Sequence, residues 1–159
     1  MADENKMRQA KTAYQTFCEV LDDEKWKYKR DDEKLSLEMS VKGDDLSFDL
    51  NVNVDAERSV VSILSKFNIT LQDSSAKANM GVAISAVNNA IVNGMFDYNC
   101  VSGKIVFRMV NSYLGSIISK EVYKYMLYVA CSTIDQYNDK LILLSSGSLS
   151  LDEFLKQID

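Results

Sequence analysis

The sequence predicts an α+β fold in which an antiparallel sheet of about six strands packs against helices. Three observations predict it. Four runs between Trp26 and Leu71 alternate apolar and polar residues, the period of a half-buried strand. Apolar residues recur at steps of three and four near the start, in the middle and near the end, the spacing of one helix face. Between these, Lys77 to Val110 reads as a helix, an abrupt stop and a hairpin.

Met7, Ala10, Tyr14, Phe17 and Leu21 line one face of an opening helix, with Cys18 beside it, and Asp22, Asp23 and Glu24 end it. Trp26 and Tyr28 alternate with Lys27 and Lys29, which suggests a short edge strand with aromatics on one face and lysines on the other. After the turn Asp31, Asp32, Glu33 comes a strand carrying Leu35, Leu37, Met39 and Val41. Gly43, Asp44 and Asp45 then turn the chain into Leu46, Phe48, Leu50, Val52 and Val54. A turn around Asp55 to Glu57 precedes Val61, Ile63, Phe67, Ile69 and Leu71, with Ser65 as a gap in the apolar face. Each strand offers one apolar and one polar face, so the sheet is expected to be solvated on one side and covered by helices on the other.

The central helix is predicted from about Lys77 to Asn93, with Met80, Ile84, Val87 and Ile91 on one face and Ala83, Ala86 and Ala90 beside it. Gly94 is expected to close it in the left-handed conformation. A hairpin follows, Phe96 to Val101 and Lys104 to Val110, with Ser102 and Gly103 as its turn pair and Phe96, Tyr98 and Cys100 opposite Ile105, Phe107 and Met109. Ser119 is positioned to cap a long helix to Tyr137, with Glu121 in its first turn and a stripe of Val122, Met126, Val129, Ala130, Thr133 and Ile134. Tyr123, Tyr125, Leu127, Tyr128 and Cys131 widen that stripe, so the helix is either sandwiched in the core or half of an interface. Leu141 to Leu144 reads as helical, Gly147 breaks it, and Ser150 with Glu153 forms a capping box for a last short helix carrying Leu151, Phe154, Leu155 and Ile158.

With 159 residues, 47% of them hydrophobic and 26% charged, the chain suits one domain with one core, spanning 1–159. A net charge of −5 and only four arginines offer no electrostatic footprint for phosphate backbones, so nucleic acid is not an expected partner. The first twenty residues are polar and carry both signs, unlike an export signal, and no apolar run is long enough to span a bilayer. The expected location is therefore the cytoplasm, with no membrane partner. Cys18, Cys100 and Cys131 are widely spaced and read as buried small hydrophobes rather than disulfide or zinc ligands. The absence of histidine removes the commonest general base and metal ligand, and there is no glycine-rich phosphate loop, so neither catalytic residues, a metal site nor a cofactor is expected.

The acidic clusters Asp22 to Glu24, Asp31 to Glu33 and Asp44 to Asp45 lack the pattern of a calcium loop and read as solvated turns. Lys104 and Arg108 share a strand face with Val106 and read as an exposed face or edge device. Asn88, a poor helix-interior residue, is expected to bond a neighbouring backbone group rather than a ligand. Tyr123, Tyr125 and Tyr128 are the candidate interface residues, since tyrosine combines large contact area with a polar tip.

From Asn88 the pattern N-x-x-I-x-x-G-x-F-D, followed by Gly103 and an alternating strand, resembles the YbjN-type family of small bacterial proteins. Trp26 and Tyr28, Asp135 and Tyr137, and the run Gly147, Ser150, Glu153 are similar to features of that family in the same order. The resemblance implies a fold like that of type III secretion chaperones, which bind extended segments of other proteins and commonly dimerise. It carries a label of sensory transduction regulator and no catalytic residues. Within it, Asn88, Gly94, Phe96 and Gly103 have structural explanations. The expected function is a non-enzymatic protein-binding or regulatory module that engages another protein or itself as a homodimer. The alternative is a small-molecule sensor or carboxylate-based enzyme with a pocket between the central helix and the sheet.

Overall fold

A computed structural model describes residues 4–71 and 73–158 of the chain; Gln72 and the extreme terminal residues lie outside the description. Four helices, α1 (Glu4–Asp23), α2 (Ser74–Ala90), α3 (Lys120–Ser146) and α4 (Leu151–Leu155), accompany one sheet. Its strands are β1 (Lys29–Asp31), β2 (Ser36–Lys42), β3 (Ser47–Asp55), β4 (Val60–Phe67), β5 (Met95–Tyr98) and β6 (Ile105–Ser112), in the spatial order β1-β2-β3-β4-β6-β5. Every pairing is antiparallel. The first four strands are sequential neighbours, whereas α2 carries the chain past β4, so β6 returns to pair with β4 and β5 becomes the outer edge.

Alternation sorts the two faces as the sequence predicts. Leu37, Met39, Leu50, Val52, Val61, Ile63, Phe107 and Met109 are buried beneath the helices, and Glu38, Ser40, Asp49, Asn51 and Asn53 lie on the opposite face. Phe96 is the hub of the core. Its ring lies 5.6 Å from Phe67 on β4, 5.2 Å from Phe107 on β6 and 6.1 Å from Tyr137 on α3, all tilted edge to face. A second aromatic pair, Phe17 and Tyr123 at 4.9 Å, joins α1 to α3.

Several boundaries depart from the sequence reading. The strand predicted over Trp26 to Lys29 forms only at Lys29–Asp31, because the Trp26 N–H still serves the end of α1 by donating to the Leu21 carbonyl. Ile69 and Leu71 fall beyond β4, which ends at Phe67. Helix α2 begins earlier than predicted, at Ser74 after an Asp73 cap, and stops at Ala90 with Ile91 already extended (φ −86°, ψ 142°). Gly94 therefore does not cap the helix. It shapes the entry to β5 at φ +81°, where a Cβ would lie 2.6 Å from Phe107 Cζ, so the turn needs both its backbone freedom and its missing side chain.

The β5–β6 turn is longer than a Ser102-Gly103 pair. Asn99 Oδ1 accepts from the Val101 and Ser102 N–H groups, and the Asn99 N–H donates to the Lys104 carbonyl, so the loop is built on an asparagine side chain. Cys100 consequently sits exposed in this loop rather than opposite Ile105, which pairs instead with Tyr98, and Cys131 is only partly buried; Cys18 alone is a core thiol. Helix α3 does not stop at Tyr137. Neither proline nor glycine interrupts it before Gly147, and Leu141 and Leu144 continue the buried stripe, giving 27 residues, about 40 Å of helix. Gly147 ends it in the left-handed conformation and the Ser150–Glu153 capping box opens α4, both as predicted.

Because Phe96 touches three elements, Phe96→Ala is expected to cost about 3 to 5 kcal/mol, read as a lower urea midpoint at unchanged slope. A midpoint within error of wild type would remove Phe96 from the centre of the core.

Candidate interaction surface

The first half of α3 divides its aromatics between core and surface. Tyr123 is fully buried against Phe17, with no hydrogen-bond partner for its hydroxyl among the described residues, so it is a core residue and presents nothing outward. Burial holds its phenol well above the ordinary tyrosine range. Tyr125 and Tyr128 are 47% and 50% exposed and lie three residues apart, on one outward arc with Val122. Just before the helix, the loop from β6 adds Leu114 and Ile117, 71% and 82% exposed. This is the largest run of exposed apolar side chains between β6 and the middle of α3. The sequence could not sort these tyrosines, because α3 is apolar around most of its circumference.

A charged rim borders the arc. Lys120 Nζ lies 3.0 Å from both Glu19 and Asp23 of α1, and Lys124 Nζ lies 2.6 Å from Glu24 just beyond it. The Tyr128 hydroxyl donates to the same Glu24 carboxylate at 2.6 Å. Lys124 first, then Tyr128, hold the Glu24 carboxyl below its ordinary range, and Glu24 in turn raises the Tyr128 phenol. Tyr128 is thus partly committed to tying α1 to α3. Among the described residues the Tyr125 hydroxyl has no hydrogen-bond partner, which leaves it the freer aromatic.

The motif residues sit elsewhere, at the far end of the sheet. Asn88, on the last turn of α2, donates from Nδ2 to the Phe96 carbonyl at 3.0 Å and accepts the Phe96 N–H at Oδ1 at 2.8 Å, the backbone role expected of it. Gly103 ends the β5–β6 turn at φ +74°, where a Cβ would lie 3.4 Å from the Leu71 side chain. Arg108 is engaged across the hairpin by Asp97, at 2.6 and 3.1 Å, so it is a cross-strand partner rather than a free cation. Asp135 on α3 was matched by resemblance alone; the structure shows its carboxylate accepting the Asp44 N–H at 3.0 and 3.2 Å. A Cβ at Gly43 would overlap that carboxylate, so the β2–β3 turn is pinned to α3 through a residue that only glycine can occupy.

Surface hollows lie over α1, over the polar face of β2 and β3, and between α1 and the β6–α3 loop; α2 lines none of these. Burial pushes the Cys131 thiol up to about 12, so it is protonated and unreactive at neutral pH. Among the described residues no helix is long and apolar enough to cross a membrane.

No protein family matches the sequence, and no curated protein matches it. Solved structures that share its fold include the following two. YbjN from E. coli, a candidate transcription regulator, superimposes with a TM-score of 0.57 at 14% identity, covering 85% of this chain and 92% of that one. A chain of the ExsC-ExsE complex superimposes with a TM-score of 0.52 at 12% identity, covering 81% and 92%. The chain therefore has the YbjN-type, type III secretion chaperone-like α+β fold that the sequence resembles.

The Glu24 rim has a defined pH dependence. A carboxyl held low in the folded state contributes stability that is present above its ordinary value of 4.5 and is lost as pH falls through the depressed one. Wild type is expected to melt above Glu24→Gln at pH 7, and the gap is expected to shrink as pH falls below 4.5 and through the depressed value, as the carboxylate protonates. A gap that stays constant across the whole acid range would show that the rim acts through packing rather than charge.

Proposed function

We propose that the chain is a non-enzymatic protein-binding module, chaperone-like or regulatory, that works in the cytoplasm and presents the outward arc of α3 to another protein or to a second copy of itself. The observation that carries this reading is the exposed set Leu114, Ile117, Val122 and Tyr125 bordered by the Lys120, Lys124 and Glu24 rim. An apolar centre enriched in aromatics and surrounded by charged, hydrated groups is the anatomy of a protein interface. The fold supports the reading, since one of the structures that shares it is a complex of two named proteins. Tyr125 is the expected anchor, because it is half exposed with an unengaged hydroxyl, while Tyr128 already serves Glu24.

Tyr125→Arg places a charge at the centre of the arc without touching the core. It is expected to abolish association, measured by co-purification of the tagged chain from its native cells and by light scattering, while shifting the melting temperature by no more than a few degrees. Retention of every partner and of the wild-type mass would exclude this face. A large loss of melting temperature would instead identify Tyr125 as a packing residue.

A further inference from the structure

We propose that the hollow between α1 and the β6–α3 loop is a binding site for a small amphipathic carboxylate, an acid whose apolar body is a short acyl chain or a single ring. The hollow measures about 220 Å³, below the roughly 300 to 1,000 Å³ of a site for drug-sized ligands, which limits the size of that body. Its inner surface is apolar. Ala13 of α1, Tyr113 and Ile118 are buried residues that line it, and the exposed Ile117 belongs to its rim. The Tyr113 hydroxyl already donates to the Asp55 carbonyl at 2.9 Å, so this residue offers the hollow ring surface rather than a polar atom.

Charge selects the other end of the ligand. Arg8 lines the hollow and no carboxylate does. By contrast, the hollow over α1 includes Glu4 and Glu19, and the one over β2 and β3 includes Glu38 and Asp49. A positive hollow free of carboxylates is therefore a local exception on a chain of net charge −5. Arg8 also differs from the other three arginines. Arg30, Arg58 and Arg108 each hold an aspartate, at 2.7, 2.9 and 2.6 Å, whereas Arg8 donates to the neutral Asn5 amide at 2.8 Å and meets no carboxylate among the described residues. A guanidinium carries five N–H donors in a fork that fits a carboxylate, and this one has given up a single donor.

The loop adds donors of its own. The Ile118 N–H has no hydrogen-bond partner among the described residues although Ile118 is buried, and neither the Ile117 N–H nor the Ser116 hydroxyl has one. Buried main-chain donors are seldom left unpaired in folded proteins. An anion held beside Arg8 gives these donors an acceptor that the chain itself does not supply. The site shares Ile117 with the exposed arc of α3 but does not depend on that arc being an interface.

The test uses the full chain with octanoate and phenylacetate as probes, followed by NMR at neutral pH. Either acid or both should move the Ile117 and Ile118 amide signals saturably, while octanol and octylammonium, which have the apolar body without the negative charge, should not. Arg8→Gln removes the charge at an exposed position and should weaken binding about tenfold, as loss of a hydrogen bond to a charged group does. Ser116→Glu puts a carboxylate into the hollow and should abolish binding. Tyr125→Arg, which tests the α3 arc, should bind the acid as wild type does, so the two readings fail separately. The proposal is overturned if neither acid moves those amides, if octanol moves them as strongly as the acid, if either Arg8→Gln or Ser116→Glu binds like wild type, or if Tyr125→Arg abolishes binding.

Discussion

The paired hydrogen bonds between the Asn88 side chain and the Phe96 backbone hold the last turn of α2 against the outermost strand, and the rest of the fold depends on where they place Phe96. With its backbone fixed from outside, the Phe96 ring reaches β4, β6 and α3 at once. The chain between the two residues has little freedom: it must leave the helix at Ile91 and enter β5 past the Phe107 ring, which is why Gly94 stands there. One polar side chain therefore satisfies two backbone groups at a sheet edge while directing the largest aromatic cluster of the core, and an apolar residue at position 88 would leave both groups without a partner inside the protein.

A second tether works at the other side of the molecule through a different chemistry. Asp135 accepts from the Asp44 N–H, and Gly43 leaves room for the carboxylate, so the β2–β3 turn cannot swing away from α3. At the start of α3, ion pairs from Lys120 and Lys124 and the Tyr128 hydroxyl bind the end of α1. These exposed ion pairs add little stability individually. They join the start of α3 to the end of α1 and place charge along the Tyr128 flank of the exposed arc.

Much of this was legible from local pattern. Period-two alternation located β2, β3 and β4 because one face of each must be buried, and the helix caps at Ser119, Gly147 and Ser150 were readable because orphan backbone groups demand particular side chains. The preference of asparagine for backbone partners likewise foretold the role of Asn88, and the order of short motifs foretold the fold. The candidate interface was legible only as a helix with too much apolar surface.

What the sequence by itself determined is therefore the α+β class, the inward face of most strands and the residues that start and stop helices, since each follows from chemistry within a few residues. Tertiary structure alone decided the rest. The placement of β6 between β4 and β5, the end of α2 short of Gly94, and the division of Tyr123 from Tyr125 all depend on which surfaces meet across the chain. A periodic pattern reports how much of a helix is apolar; only the neighbour that arrives against it, here Phe17 of α1, decides which part is covered.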